Sequence, residues 1–236
     1  MILCYGDSIT KGVPGVSYLR FVNKKWNPKN CGLGGDTLLG LSKRIALNIH
    51  KSESASYILQ IGTNDILLPF LLNHSEAWGT RITELINKRS KLCENECRFR
   101  EEYENLLTNL GKQGKAVKVI NIPCLGEDLE SCLNEKVDHY NKVIKSITEA
   151  QAIDYIDFNG WQKKVLTENS GEGSFFISKN PLDVVIDSLL TTFSPASDHL
   201  SSKRGLQLTI DGCHLNNLGA RGLASLVEEK FEKDLF

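Results

Sequence analysis

Five residues, spread over almost the whole chain, have the types that ester chemistry needs: Ser8 in "GDSIT", Gly35 in "GLGGDT", Asn64 in "GTND", and Asp211 with His214 in "DGCHLN". A serine hydroxyl becomes a nucleophile when a base takes its proton, and a histidine does this near neutral pH when a carboxylate holds its other ring nitrogen. Asp211 and His214 stand three apart. In a helical turn that spacing puts both side chains on one face, so that the carboxylate reaches Nδ1 and Nε2 is left for Ser8. Attack on an ester carbonyl creates an oxyanion, which needs hydrogen-bond donors aimed at it, and Gly35 and Asn64 are suited to supply them. The chemistry implied is acyl transfer from an ester to serine and then to water.

Such a group works only if a fold brings its members together. "MILCY" (1–5), "SYILQI" (56–61), "AVKVINI" (116–122) and "AIDYIDF" (152–158) are short apolar runs bounded by Gly, Asn or Pro, and they read as buried strands. "WNPKNCG" (26–32) reads as another strand, confined to a sheet edge by Pro28. Helical patterns lie between them. Asp36 or Thr37 caps a helix over 36–49, and Leu133, Val137, Tyr140, Ile144 and Ile147 form one apolar stripe. In the last helix Leu223, Leu226, Val227 and Phe231 mark the buried side. Alternation of strand and helix predicts a parallel sheet covered on both faces, with ligands bound at the carboxyl ends of its strands. "GDS", "GLGGDT" and "GTND" each follow a strand, so the topology makes them neighbours. Residues 69–111 and 161–206 exceed what a minimal sheet of this kind requires, and they read as insertions in a single domain spanning 1–236. The second carries Phe175, Phe176, Ile177, Val184, Val185 and Leu189, which suit the wall or lid of an acyl pocket and equally an amphipathic helix packed on the domain or a face for a partner subunit.

The blocks "GDSIT", "NCGLGGDT", "GTND" and "DGCHLN", in this order, resemble the signature blocks of the SGNH (GDSL-type) hydrolases, a family of esterases and lipases. The resemblance implies a flavodoxin-like three-layer α/β sandwich around a five-stranded parallel sheet of order 2-1-3-4-5. It implies a catalytic triad of Ser8, His214 and Asp211. It also implies an oxyanion hole made by the backbone N–H groups of Ser8 and Gly35 with the Asn64 side chain.

Other readings of the same residues fare less well. The 28 basic and 29 acidic side chains leave a net charge of −1, and no dense basic block appears, so nucleic acid is not an expected partner. No run approaches the apolar length of a membrane span, and "MIL" leads directly into the first strand with no leader, so a cytoplasmic protein without integral membrane association is expected. Seven cysteines then imply reduced thiols. Cys93 and Cys97 lack a second pair of ligands, and neither a metal nor an organic cofactor is expected. Cys213 should point away from its neighbours Asp211 and His214. His199 is adjacent to Asp198, a poor geometry for base and orienter, while His50, His74 and His139 read as surface residues. Dinucleotide, Walker and G-x-S-x-G patterns are missing.

A noncatalytic anion-binding module on a flavodoxin-like sheet could use the same glycine turns, but it would have no use for Asp211 beside His214. The expected substrate is a small-molecule, lipid or sugar acyl ester. An acyltransferase or thioesterase could use the same triad, and the acyl chain, the alcohol and the oligomeric state stay open.

Overall fold

A computed structural model describes residues 1–49, 56–88, 91–168 and 178–233 of the 236-residue chain. Five strands, β1 (Ile2–Gly6), β2 (Pro28–Gly32), β3 (Ser56–Gln60), β4 (Ala116–Ile120) and β5 (Asp154–Ile156), form one sheet of order β2-β1-β3-β4-β5 in which every pair is parallel. This is the expected flavodoxin-like α/β order. β2 lies at the edge, where Pro28 deprives the ladder of a donor at little cost. β1 and β3 are buried almost throughout, as strands covered on both faces must be.

Alternation along the strands sends side chains to two helical layers. Tyr5 and Tyr57 stack on the face covered by α2 (Leu38–Asn48), whose Arg44 lies over the Tyr5 ring. On the other face Lys118 approaches the Phe231 ring of α10 (Asn217–Lys233) and pairs with Asp154, its register partner in β5. Burying an ammonium group requires such a partner. Thr37 caps α2 by accepting from the Gly40 N–H, and the predicted stripe of α6 (Cys132–Ala150) is turned inward.

Three segments differ from expectation. The strand expected over 152–158 is shorter, because Asp157 accepts from the Gly160 N–H and turns the chain into α7 (Phe158–Glu168), which packs against α10 with Gly222 under Trp161. Part of the segment 161–206 is therefore a layer helix. Its remainder supplies α8 (Pro181–Phe193) and α9 (Ser197–Lys203), whereas Phe175, Phe176 and Ile177 lie outside the described residues. Within 69–111, α5 (Glu96–Lys112) packs on β4, α2 and α6 as a layer helix, so the added element is α4 (Glu76–Lys88), which pairs with α3 (Thr63–Leu72). Among the described residues no helix is long and apolar enough to cross a membrane.

Candidate active site

Ser8 begins the short helix α1 (Ser8–Lys11), directly beyond the carboxyl end of β1. Asp7 caps that helix, its carboxylate accepting from the Ile9 N–H at 2.9 Å. Ser8, at the first helical position, has a backbone N–H with no acceptor inside the helix. Asp7 itself is fully buried. Burial pushes its pKa up to about 6, while hydrogen bonds from Ile9, Thr63 and Gln60 and the nearby His214 act in the opposite sense.

His214 reaches Ser8 from a turn 206 positions further along the chain. Its Nε2 lies 2.8 Å from Ser8 Oγ, and its Nδ1 lies 2.7 Å from Asp211 Oδ2. With Nδ1–H donating to the carboxylate, Nε2 is left to accept from the serine hydroxyl. The three-residue spacing works differently from the expected helical turn. Residues 211–214 form a bend closed by an antiparallel bridge between Thr209 and Leu215, with Gly212 at φ 83°. Asp211 Oδ1 accepts from the Cys213 and His214 N–H groups, at 3.0 and 2.8 Å, so the carboxylate organises its own turn before it holds the imidazole.

The electrostatics follow from this geometry. Burial would lower the His214 pKa, but the charge and the hydrogen bond of Asp211, joined by the charges of Asp7 and Asp187, outweigh it, and the net shift is upward. For Asp211 burial acts to raise the pKa, and the His214 charge with the hydrogen bonds from His214 and Cys213 brings it below the ordinary carboxylate value. Both shifts favour an imidazolium facing a carboxylate.

On the other side of Ser8 is the loop 33–37, in which Gly35 takes φ 73°. A single guanidinium fastens this loop to the sheet. Arg44 donates through Nε and Nη2 to Asp36 Oδ2 at 2.8 and 2.6 Å, and reaches the carbonyls of Cys31, the penultimate residue of β2, and Gly6, which ends β1. Asn64, at the start of α3, donates through Nδ2 to the Asp36 carbonyl at 2.8 Å, which leaves the second amide hydrogen for another acceptor. We expect Arg44→Met to strand the buried Asp36 carboxylate and cost about 3 kcal/mol of stability, a loss to be read from urea denaturation, and to lower kcat through displacement of the Gly35 loop.

Ser8, Gly34, Gly35, Asn64, Asp211 and His214 all line one cavity of about 430 Å³. Its remaining wall is largely apolar and comes from α3, α4 and α8. A larger cleft of about 520 Å³ lies at the opposite end of the strands, around Ser56, Ala116 and Asp154, remote from this group. Cys213 also lines the cavity, but burial holds its thiol well above the ordinary pKa, so little thiolate is available.

Of the other histidines, His139 and His199 are exposed, His74 packs against the Phe70 ring in a tilted arrangement, and His50 lies outside the described residues. Two supports had no sequence motif. Buried Glu127 accepts from the N–H groups of Gln207, Leu208 and Thr209 and from the Thr209 hydroxyl, fixing the approach to Asp211. Arg204 joins buried Asp187 of α8 to the Ile210 carbonyl. Both act through backbone atoms, which leave no pattern in side-chain spacing.

Residues 4–176 match the profile of the GDSL-like lipase/acylhydrolase family. The chain belongs to this family. This GDSL hydrolase is accordingly a carboxylic ester hydrolase. Solved structures share its fold. The acetyl xylan esterase AlAXEase superposes with a TM-score of 0.66 and 17% identity, over 98% of this chain and 99% of its own. Axe2, an acetylxylan esterase from Geobacillus stearothermophilus, gives 0.62 and 16%, over 97% and 92%. LAE5, an alpha/beta hydrolase enzyme from the metagenome of Lake Arreo, Spain, gives 0.64 and 14%, over 97% and 93%. Variants of Axe2 described as catalytic mutants replace one serine, one aspartate and one histidine. No curated protein sequence matches the chain.

Proposed function

We propose that this GDSL hydrolase cleaves carboxylic esters through an acyl-serine intermediate, with Ser8 as nucleophile, His214 as general base and acid, and Asp211 as the group that orients and charges the imidazole. The observation that carries the reading is the unbroken hydrogen-bonded line from Ser8 Oγ through His214 to Asp211, at 2.8 and 2.7 Å. A binding module would gain nothing from it. The serine, aspartate and histidine of the Axe2 catalytic mutants add support from a protein of the same fold.

In this mechanism Ser8 Oγ bonds to the ester carbonyl carbon as its proton passes to His214 Nε2. The carbonyl oxygen becomes an oxyanion, held by the Ser8 and Gly35 N–H groups and the free amide hydrogen of Asn64. The tetrahedral adduct collapses by breaking the bond to the alcohol oxygen, which takes the proton from Nε2 and leaves. Water then repeats the sequence on the acyl-serine: His214 takes its proton, the oxyanion forms again, and Ser8 Oγ departs with that proton. No step calls on a metal or an organic cofactor. The test is a rapid-mixing experiment with a p-nitrophenyl ester. A burst of p-nitrophenolate of one equivalent per chain, with an acyl adduct on the Ser8 peptide, is the expected result; no adduct on that peptide despite turnover would refute the mechanism.

A donor used mainly in the transition state affects kcat more than KM. We therefore expect Asn64→Ala to lower kcat by about 10² to 10³ with KM nearly unchanged, as measured by steady-state kinetics. Parental kcat in that variant would remove Asn64 from the oxyanion hole.

A further inference from the structure

Resting on the ester-hydrolase reading above, we propose that the groove between α3 and α4 is the acyl site of this enzyme, and that it takes a straight apolar chain of medium length in preference to acetate. The argument begins with direction. The carbonyl oxygen of a bound ester points to Gly35 and Asn64, and the leaving oxygen must face His214 Nε2 to receive a proton. The acyl chain is then left to run on the Asn64 side, away from His214.

What lies on that side is a prepared apolar surface. Leu67, Leu68 and Leu71 follow Asn64 by three, four and seven positions, so α3 carries the oxyanion donor and the three leucines on one face. Trp78, Ile82 and Leu85, spaced by four and three, present the facing stripe of α4, and both stripes line the cavity that contains Ser8. The α4 wall is fixed in place at its amino end. Trp78 Nε1 donates to the Ser178 carbonyl at 2.7 Å, and the Ser75 hydroxyl to that of Lys179 at 2.6 Å, tying the α3–α4 turn to the residues that lead into α8.

The His214 side has a different character. Gly15 approaches His214 so closely that a Cβ there would lie 3.2 Å from the histidine Cβ, and the Gly15 N–H donates to Thr191 of α8. Outside the α3 and α4 stripes the cavity wall mixes Lys11 and Ser188 with Val13, Pro14, Val184 and Val185, a less uniform surface than the two stripes.

Length follows from the helix. Seven positions from Asn64 to Leu71 advance about 10 Å along α3. An all-trans chain advances roughly 1.25 Å per carbon for bonds near 1.5 Å, so about eight carbons span the groove. Each methylene buried there can raise kcat/KM by up to about fourfold.

A p-nitrophenyl ester series from acetate to palmitate, assayed below micellar concentrations, tests this on the parent chain and on Leu71→Trp and Leu85→Trp. The second variant places its bulk at a half-buried position, where folding is less at risk. Melting curves identify the folded variants. The expected result is a parental kcat/KM at least tenfold higher for octanoate than for acetate and falling beyond decanoate. The octanoate-to-butyrate ratio should drop at least tenfold in a folded variant. A parental optimum at acetate, or unchanged ratios in the folded variants, would overturn the acyl-site assignment and leave the esterase reading intact. Absence of turnover on every ester, acetate included, would overturn both.

Discussion

Ser8→Ala and His214→Ala are each expected to reduce kcat by about 10⁴ to 10⁶, and the double variant is expected to be hardly worse than either single one. The reason is geometric. Ser8 Oγ has one base at 2.8 Å, and without it the hydroxyl stays protonated at neutral pH. Without the hydroxyl, His214 has no nucleophile to serve. Residual activity should come from the oxyanion donors alone. Neither change should unfold the protein, because the elements around the site are held by other contacts. α1 keeps its Asp7 cap, and the 211–214 bend keeps the hydrogen bonds from Cys213 and His214 to Asp211, which use backbone donors. Single-turnover kinetics and melting curves on the three variants check both halves of the prediction.

Asp211→Asn should produce a loss of about 10⁴ in kcat near neutral pH, together with a displaced pH profile that a merely structural change would not cause. The proposed base must be neutral His214, so kcat/KM should rise with pH as the imidazole loses its proton. In the parent that limb should lie above the ordinary histidine value near 6.5, because Asp211, with smaller contributions from Asp7 and Asp187, outweighs burial and raises the His214 pKa. With the carboxylate replaced by an amide, burial continues to act and the nearest opposing charge is gone, leaving only the smaller effects of Asp7 and Asp187. The residual activity should then titrate on a limb shifted to lower pH. A limb that does not move would mean that Asp211 contributes no charge to the imidazole.

The extent to which the sequence anticipated this site depended on how each residue acts. The sheet order was legible because β1, β3 and β4 are short apolar runs ended by turn residues, and Pro28 marked the edge strand. Ser8, Gly35 and Asn64 were legible as types following strands, and Asp211 with His214 as a spaced acid and base, and all five line one cavity. The local geometry of the Asp211–His214 pair was not, since three-residue spacing suits a helical turn as well as the bend that a left-handed Gly212 permits. Arg44 was hidden because it lies eight positions beyond Asp36 and also grips the carbonyls of Gly6 and Cys31, contacts that depend on the packing of α2 over the sheet. Pocket walls were hardest to assign. Pattern alone favoured 161–206 for its apolar content, whereas the α3 and α4 stripes became visible once the two helices were paired beside Asn64.

Reaction with a fluorophosphonate probe tests the central claim most directly, because stoichiometric labelling requires a serine activated by its neighbours and an oxyanion site to accept the phosphoryl oxygen. Peptide mapping by mass spectrometry should find one adduct per chain, on Ser8, formed far more slowly in His214→Ala. A probe that leaves Ser8 unlabelled in folded protein, or labels it equally fast without His214, would contradict the assignment of these residues as the catalytic group.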